Sequence, residues 1–335
     1  MTKTNRRTFG LFLGASLAAL TATTATTAMA DNCGLTQPIK IIVGYGAGGG
    51  TDGYARVLAA TLPDVLDGTP AVVINRPGGA QVAAMKFVKA ANPNGTTLQV
   101  VAMGGGLMST MLRDQGISWF EDFVPIAQFG VTNQALVVRN DSGITTAQQL
   151  IDLIKEKGAA GERARWSHPG RGSVSHVGVT AFLARNGLLD MTQDVPYDGG
   201  AGTRNALLSG EVDFSASGAH TVPAFEDQET AVGLLSDERD PVVDSIPTLQ
   251  EQGLDFVPTS SPIILAAPAG ASPELVDCLS AAVGKLPENV AFSTMLKKAQ
   301  QAIRYRNAAD TEANLRALAE AWAPTIAEVR ENLAD

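Results

Sequence analysis

The sequence predicts an α/β fold in two lobes with a ligand cleft between them, on three observations. Short β-branched runs alternate with helix-like runs, the pattern of strands joined by packed helices. Several strand-like runs end in glycine clusters, which puts small residues at the carboxyl ends of strands, where open α/β sheets take their ligands. The chain has 335 residues, 45% of them apolar, enough for about two domains. No single linker separates its halves, so the chain is expected to cross between lobes more than once. Residues 31–130 with 257–335 would form lobe 1, and residues 131–256 would form lobe 2.

The elements follow in order. IKIIVGY precedes YARVLAATL, AVVIN precedes AQVAAMKFVKAA, and TTLQVVAM runs into a glycine-rich gap. FVPIAQFGV and ALVVR read as further strands. In TTAQQLIDLIKEK, Thr145 or Thr146 can cap a helix whose Leu150, Ile151 and Ile154 face inward. A second alternating set runs from RARWSH through SVSHVGVTAFLARNG, DVPY and GAGTRNALLSG to EVDFSASG. Two or three helices close the chain after DFVPTSSPIILAAPAG. The first has Ser272 as N-cap and Pro273 at its first position.

Residues 1–30 are set apart as a leader. Arg6 and Arg7 precede the apolar run LFLGASLAAL, and Ala28-Met29-Ala30 forms an A-x-A cleavage site, predicting export and cleavage after Ala30. NRRTFGLFLGAS also resembles a twin-arginine signal. The apolar stretch is too short for a membrane span, so no membrane insertion is expected. Without the leader's three basic residues, 22 Lys and Arg face 34 Asp and Glu, a net charge of −12. That balance excludes nucleic acid as a partner. Cys33 and Cys278 are the only cysteines, and in an oxidising compartment they either pair or stand as two thiols.

The stretch IVGYGAGGGTDG contains Gly44, Gly46 and Gly49 at G-x-G-x-x-G spacing. A dinucleotide fold would place an acid at the end of the next strand, but AVVIN ends in Asn75 and Arg76. Strand, glycine and helix start recur at MGGG (103–106), PGRGS (169–173), YDGGAG (197–202) and SASGAH (215–220). Helix N-termini carry unpaired N–H groups and partial positive charge, so several converging on one point make an anion site without a basic side chain. A carboxylate is the guest this predicts.

PIKIIVGYGAGGGTDGYARVLA, VVINRPGGAQVAAMKFVKAANPNGTTLQVV, WSHPGRGSVSHVG, VPYDGGAGTRNALLSGEVDF and LAAPAGASPELVDCLSAAV stand in an order that resembles the substrate-binding proteins of tripartite tricarboxylate transporters, the Bug receptor family. The resemblance spans nearly all of the chain after the leader. It implies a periplasmic binding protein of type II-like architecture, monomeric and without a cofactor, that closes on a small organic acid and delivers it to membrane permease subunits. It carries ligand contacts onto Ala47, Gly48, Gly49, Thr51, Asp52 and Gly104 of lobe 1. On lobe 2 it carries them onto Arg171, Ser173, Tyr197, Asp198, Gly199, Gly200, Ala201 and Ser217.

The chain departs from the family's pattern at Gly46-Ala47, often Pro-Pro, at Arg171, often asparagine, and at Asp198, often basic. SSPIIL also replaces a stretch that is often aromatic. Asp198 would either select an amino group on the ligand or pair with Arg171 or Arg204. Two other functions compete with transport. A receptor for a two-component sensor needs the same cleft. An exported hydrolase needs a catalytic set, but no G-x-S-x-G elbow exists, and His168, His176 and His220 read as too scattered for a metal site. No enzyme activity is expected.

Overall fold

The computed structural model describes residues 1–2 and 32–332. The leader and its cleavage site lie outside the described residues. Two sheets organise the chain. The first runs β11-β4-β10-β3-β1-β2 and the second β7-β6-β8-β5-β9.

In the first sheet β1 (Ile39–Val43) lies parallel between β2 (Ala71–Asn75) and β3 (Thr97–Ala102). β10 (Ser261–Pro268) runs antiparallel between β3 and β4 (Phe123–Thr132), and β11 (Ala302–Arg306) closes the edge. The second sheet repeats this plan. β6 (Ala164–His168) is parallel to β7 (Thr192–Pro196) and β8 (Phe214–Gly218), and β5 (Gln134–Arg139) is antiparallel to β8 and β9 (Glu229–Leu234). Each sheet is therefore parallel at its heart. It turns antiparallel at β5 or β10, the strand that follows a passage of the chain from the other sheet.

The helices are α1 (Gly50–Val65), α2 (Val82–Lys89), α3 (Met103–Leu112), α4 (Trp119–Asp122) and α5 (Ala147–Ala159), then α6 (Val174–Arg185), α7 (Gly200–Leu208), α8 (Pro273–Gly284), α9 (Val290–Lys298) and α10 (Ala308–Asn332). Thr146, not Thr145, is the cap of α5. Its hydroxyl accepts from the Gln149 N–H at 3.2 Å, and Gln149 Oε1 accepts from the Thr146 N–H, a complete capping box. Ser272 caps α8 as its sequence predicts.

Two segments differ from the sequence reading. The expected glycine gap after β3 is helix α3, which takes up Gly104, Gly105 and Gly106. Tertiary packing overrides glycine's poor helix propensity here: a Cβ at Gly104 would come within 2.6 Å of Val174, and one at Gly105 within 2.5 Å of the Tyr45 hydroxyl. At the end of SASGAH the chain passes from β8 into a 3₁₀ stretch, Ala219–Phe225, so that strand end carries no α-helix.

Apolar side chains fill both faces of both sheets. Helix α10 joins the lobes: its Leu315, Trp322, Ile326 and Val329 share one buried cluster with Met103 and Leu107 of α3 and with Val177 and Ala181 of α6. Arg185 of α6 adds an ion pair to Glu328 at 3.2 Å. Cys33 and Cys278 are bonded, with Cα atoms 5.6 Å apart, tying the start of the described chain to α8. No helix among the described residues is long and apolar enough to cross a membrane.

Candidate functional site

The strand ends of the two sheets meet face to face. Loop 44–49, between β1 and α1, touches loop 197–199, between β7 and α7: the Gly46 N–H donates to the Asp198 carbonyl at 2.9 Å. A Cβ on Gly199 would lie 3.2 Å from the Gly46 nitrogen, and one on Gly49 would lie 3.5 Å from the Gly200 nitrogen. Gly199 is the tight point of this backbone-to-backbone contact, and the two glycine-rich loops form the closed lips of a cleft.

Behind the lips lies a cavity of about 60 Å³. Its wall includes Gly49, Gly50 and Thr51 at the start of α1, Ala102 just ahead of α3, Val174 and Ser175 at the start of α6, and Gly200 at the start of α7. Four helix N-termini thus converge on one small space, each with amides that lack an intrahelical acceptor. Thr132, Gln134 and His220 add polar side chains, while no Lys, Arg, Asp or Glu among the described residues lines the cavity. The field there is positive without a cation, a setting that favours an anion able to accept many hydrogen bonds.

A second cavity of about 310 Å³ adjoins the first, since Tyr45 and Pro169 line both. It is lined also by Arg113, Arg171, Tyr197 and Asp198. The inner space suits a carboxylate and a carbon or two, being room for a few waters. The outer one gives the rest of a ligand somewhere to go. Together they reach the few hundred Å³ of an ordinary ligand pocket.

The residues singled out in the sequence fall into three groups. Gly49, Thr51 and Gly200 line the inner cavity, and Arg171, Tyr197 and Asp198 line the outer one. The others stand at or behind the walls. Ala47 is exposed at the lip, Gly199 packs on Gly46, and Ala201 follows Gly200 in α7 beside Gly48. The Gly104 N–H is taken by Ser261 Oγ at 2.9 Å. Ser173 caps α6, accepting from the His176 N–H at 3.2 Å, and Ser217 lies buried in β8 beside Ser215.

Asp52 is a brace for its loop. Its carboxylate accepts from the Gly48 N–H at 2.9 Å, Arg56 Nε at 2.8 Å and Asn75 Nδ2 at 2.8 Å. Burial pushes this carboxyl up, but the three donors prevail and hold it below the usual carboxylate range. The bond to Asp52 fixes Gly48, whose φ of +84° suits glycine.

Asp198 pairs with neither arginine proposed for it. Arg171 forks onto Asp194, with Nε at 2.8 Å and Nη2 at 3.0 Å, and Arg204 pairs with Glu229 at 3.2 Å in the interior. Nor are the histidines all scattered. β6 and the start of α6 bring the His168 and His176 rings to 4.7 Å, and Asp194 joins them within 4.8 Å, a spacing that could hold a metal ion. The Asp194 carboxylate is already engaged by Arg171 and by His168 Nε2 at 3.1 Å, so the cluster serves to fix the arginine at the outer cavity. Burial, and then His168, drives His176 down to about 3, so its ring is neutral.

His220 is the residue that sequence reasoning undervalued. It is 9% exposed, lines the inner cavity, and leaves both ring nitrogens without a partner. A Cβ on Gly50 would fall 2.3 Å from its Nε2, which is why α1 begins with glycine. Burial, with Arg204 as a lesser cause, lowers its pKa from 6.5 to about 4. Its signal was its place just past a glycine-ended strand. Ser175 and Gln134, bonded to one another at 2.6 Å, had none.

With this geometry in view, the comparisons with known proteins are decisive for the family. The family model of the tripartite tricarboxylate transporter family receptor matches residues 54–330. The chain belongs to this receptor family. A curated relative, the UPF0065 protein in the gbd 5′ region of Cupriavidus necator, is 31% identical over 276 residues, covering 81% of each chain. Among solved structures, the receptor's fold matches that of Rpa4515 of R. palustris with adipate (TM-score 0.80, 22% identity, 88% of this chain and 98% of that one). It also matches MatC of Rhodopseudomonas palustris with bound malate (TM-score 0.79, 23% identity, 87% and 99%). The receptor is therefore a two-lobed solute-binding protein and not an enzyme.

Proposed function

We propose that this receptor captures a small organic acid in the periplasm, closes its two lobes over it, and delivers it to the permease subunits of a tripartite tricarboxylate transporter. The observation that carries the reading is the convergence of four helix N-termini on a cavity lined by no charged side chain. One carboxylate of the ligand sits in the inner cavity, taking hydrogen bonds from the amides at the starts of α1, α6 and α7. The remainder of the ligand extends past Tyr45 into the outer cavity, toward Arg171 and Arg113. Adipate and malate, the acids bound by the two solved neighbours, are of the size these joined spaces take.

Export is supported by the leader's sequence, and an oxidising destination suits the Cys33–Cys278 bond. Opening and closing would be a hinge motion at residues 132–134 and in the segment between β9 and β10, the two passages from sheet to sheet. A thermal-shift screen against mono-, di- and tricarboxylates, sugars and nucleotides tests the reading, because a ligand that binds only the folded state raises its midpoint. At least one organic acid should raise it by several degrees. A midpoint that moves with a sugar or a nucleotide and with no acid would reject it.

A further inference from the structure

A third cavity, of about 290 Å³, lies behind the strand passage that bounds the binding site. Thr132 and Gln134 line the inner cavity while Val131 and Asn133 line this one, so the passage from β4 to β5 separates the two. Asn133 also ties together the two passages between the sheets. Its Oδ1 accepts at 2.7 Å from the hydroxyl of Ser260, just ahead of β10, and its Nδ2 donates at 2.9 Å to Asp240 in the segment after β9. The passages therefore form one axis, with the inner cavity on one side of it and the third cavity on the other.

Each lobe brings charge to the third cavity. Lobe 1 contributes Arg304 of β11, and lobe 2 contributes Asp237, Glu238 and Arg239 from the segment after β9. Arg239 is engaged, its Nε donating to Glu251 at 2.9 Å. Among the described residues no ion pair or hydrogen bond engages the side chain of Arg304, Asp237 or Glu238, and all three are exposed. Opposite charges thus stand on the two walls of a gap whose width depends on the angle between the lobes.

We propose that Arg304, with Asp237 and Glu238, is a latch that holds the empty receptor open. The inference rests on the hinge closure proposed above. For two rigid lobes turning on one axis, parting the lips narrows the gap behind that axis, which carries the Arg304 guanidinium toward the two carboxylates. Closing on a ligand draws them apart again. Closure then costs one exposed ion pair, small enough for a ligand to overcome and large enough to bias the empty receptor toward the form that admits ligand.

Small-angle X-ray scattering of the ligand-free receptor, fitted as a mixture of open and closed forms, tests the inference. Arg304→Gln should raise the closed-to-open ratio about two- to fivefold, the worth of an exposed ion pair. Asp237→Asn combined with Glu238→Gln should raise it as much, and all three changes together no further, because each set breaks the same contact. Arg304→Glu, which gathers three acids around the gap, should raise it more. An unchanged ratio in Arg304→Gln would overturn the inference, as would effects of the two sets that simply add. An unaltered receptor that scatters as the closed form alone without ligand would instead reject the hinge closure beneath it. Circular dichroism of each variant separates a shifted equilibrium from a lost fold.

Discussion

The chemistry of the cleft rests on a few side chains that hold backbone in place. Asp52, 2% exposed, ties Gly48, Arg56 and Asn75 together and keeps the first loop in the shape that frees the α1 amides for a ligand. His220 and His176 carry a consequence for pH. Both have folded pKa values depressed below the 6.5 of an unfolded histidine, to about 4 and about 3. Below pH 6.5 the unfolded chain binds protons that the folded chain refuses, so stability is full above that point and falls as pH drops toward 4. Chemical denaturation of the ligand-free receptor between pH 7.5 and 4.5 should show this decline, and His220→Gln should make it shallower. A profile flat to pH 4.5 would mean that these rings titrate normally in the folded protein.

Among elements, the strands and the long helices were legible in the sequence because period and caps agreed. AVVIN and ALVVR are β2 and all but the first residue of β5, and the helix over TTAQQLIDLIKEK is α5 with its capping box. Replacing Thr146 by Ala should cost about 1 kcal/mol, the usual worth of an N-cap, and leave ligand affinity unchanged, since α5 does not line either cavity. Urea denaturation checks the first part and calorimetry the second. Helix α3 was not legible, because three successive glycines read as a gap, and the side chains that leave no room there include Val174 and Tyr45, both distant in sequence. β11, whose middle residues are exposed, escaped notice because AIRYR alternates weakly and pairs only at a sheet edge. The inner cavity was legible by half. Its glycine loops announce themselves, whereas Ser175, Gln134 and Thr132 reach it only because β4, β5 and α6 meet there.

Across the whole molecule, the two lobes are joined by two strand passages and by α10, whose apolar face packs on α3 and α6 together. Such a frame would let the lips part while the far side stays packed, as the proposed capture and release of a ligand requires. The central claim is that helix-start amides of both lobes grip a carboxylate. Calorimetry with an acid found in the thermal screen, set against the same molecule with that carboxylate converted to its amide, tests it most directly. The account predicts binding of the acid at one site per chain and at least 100-fold weaker binding of the amide, since the amide lacks the charge and half of the acceptors that the starts of α1, α6 and α7 are arranged to meet. Equal affinity for acid and amide would contradict it.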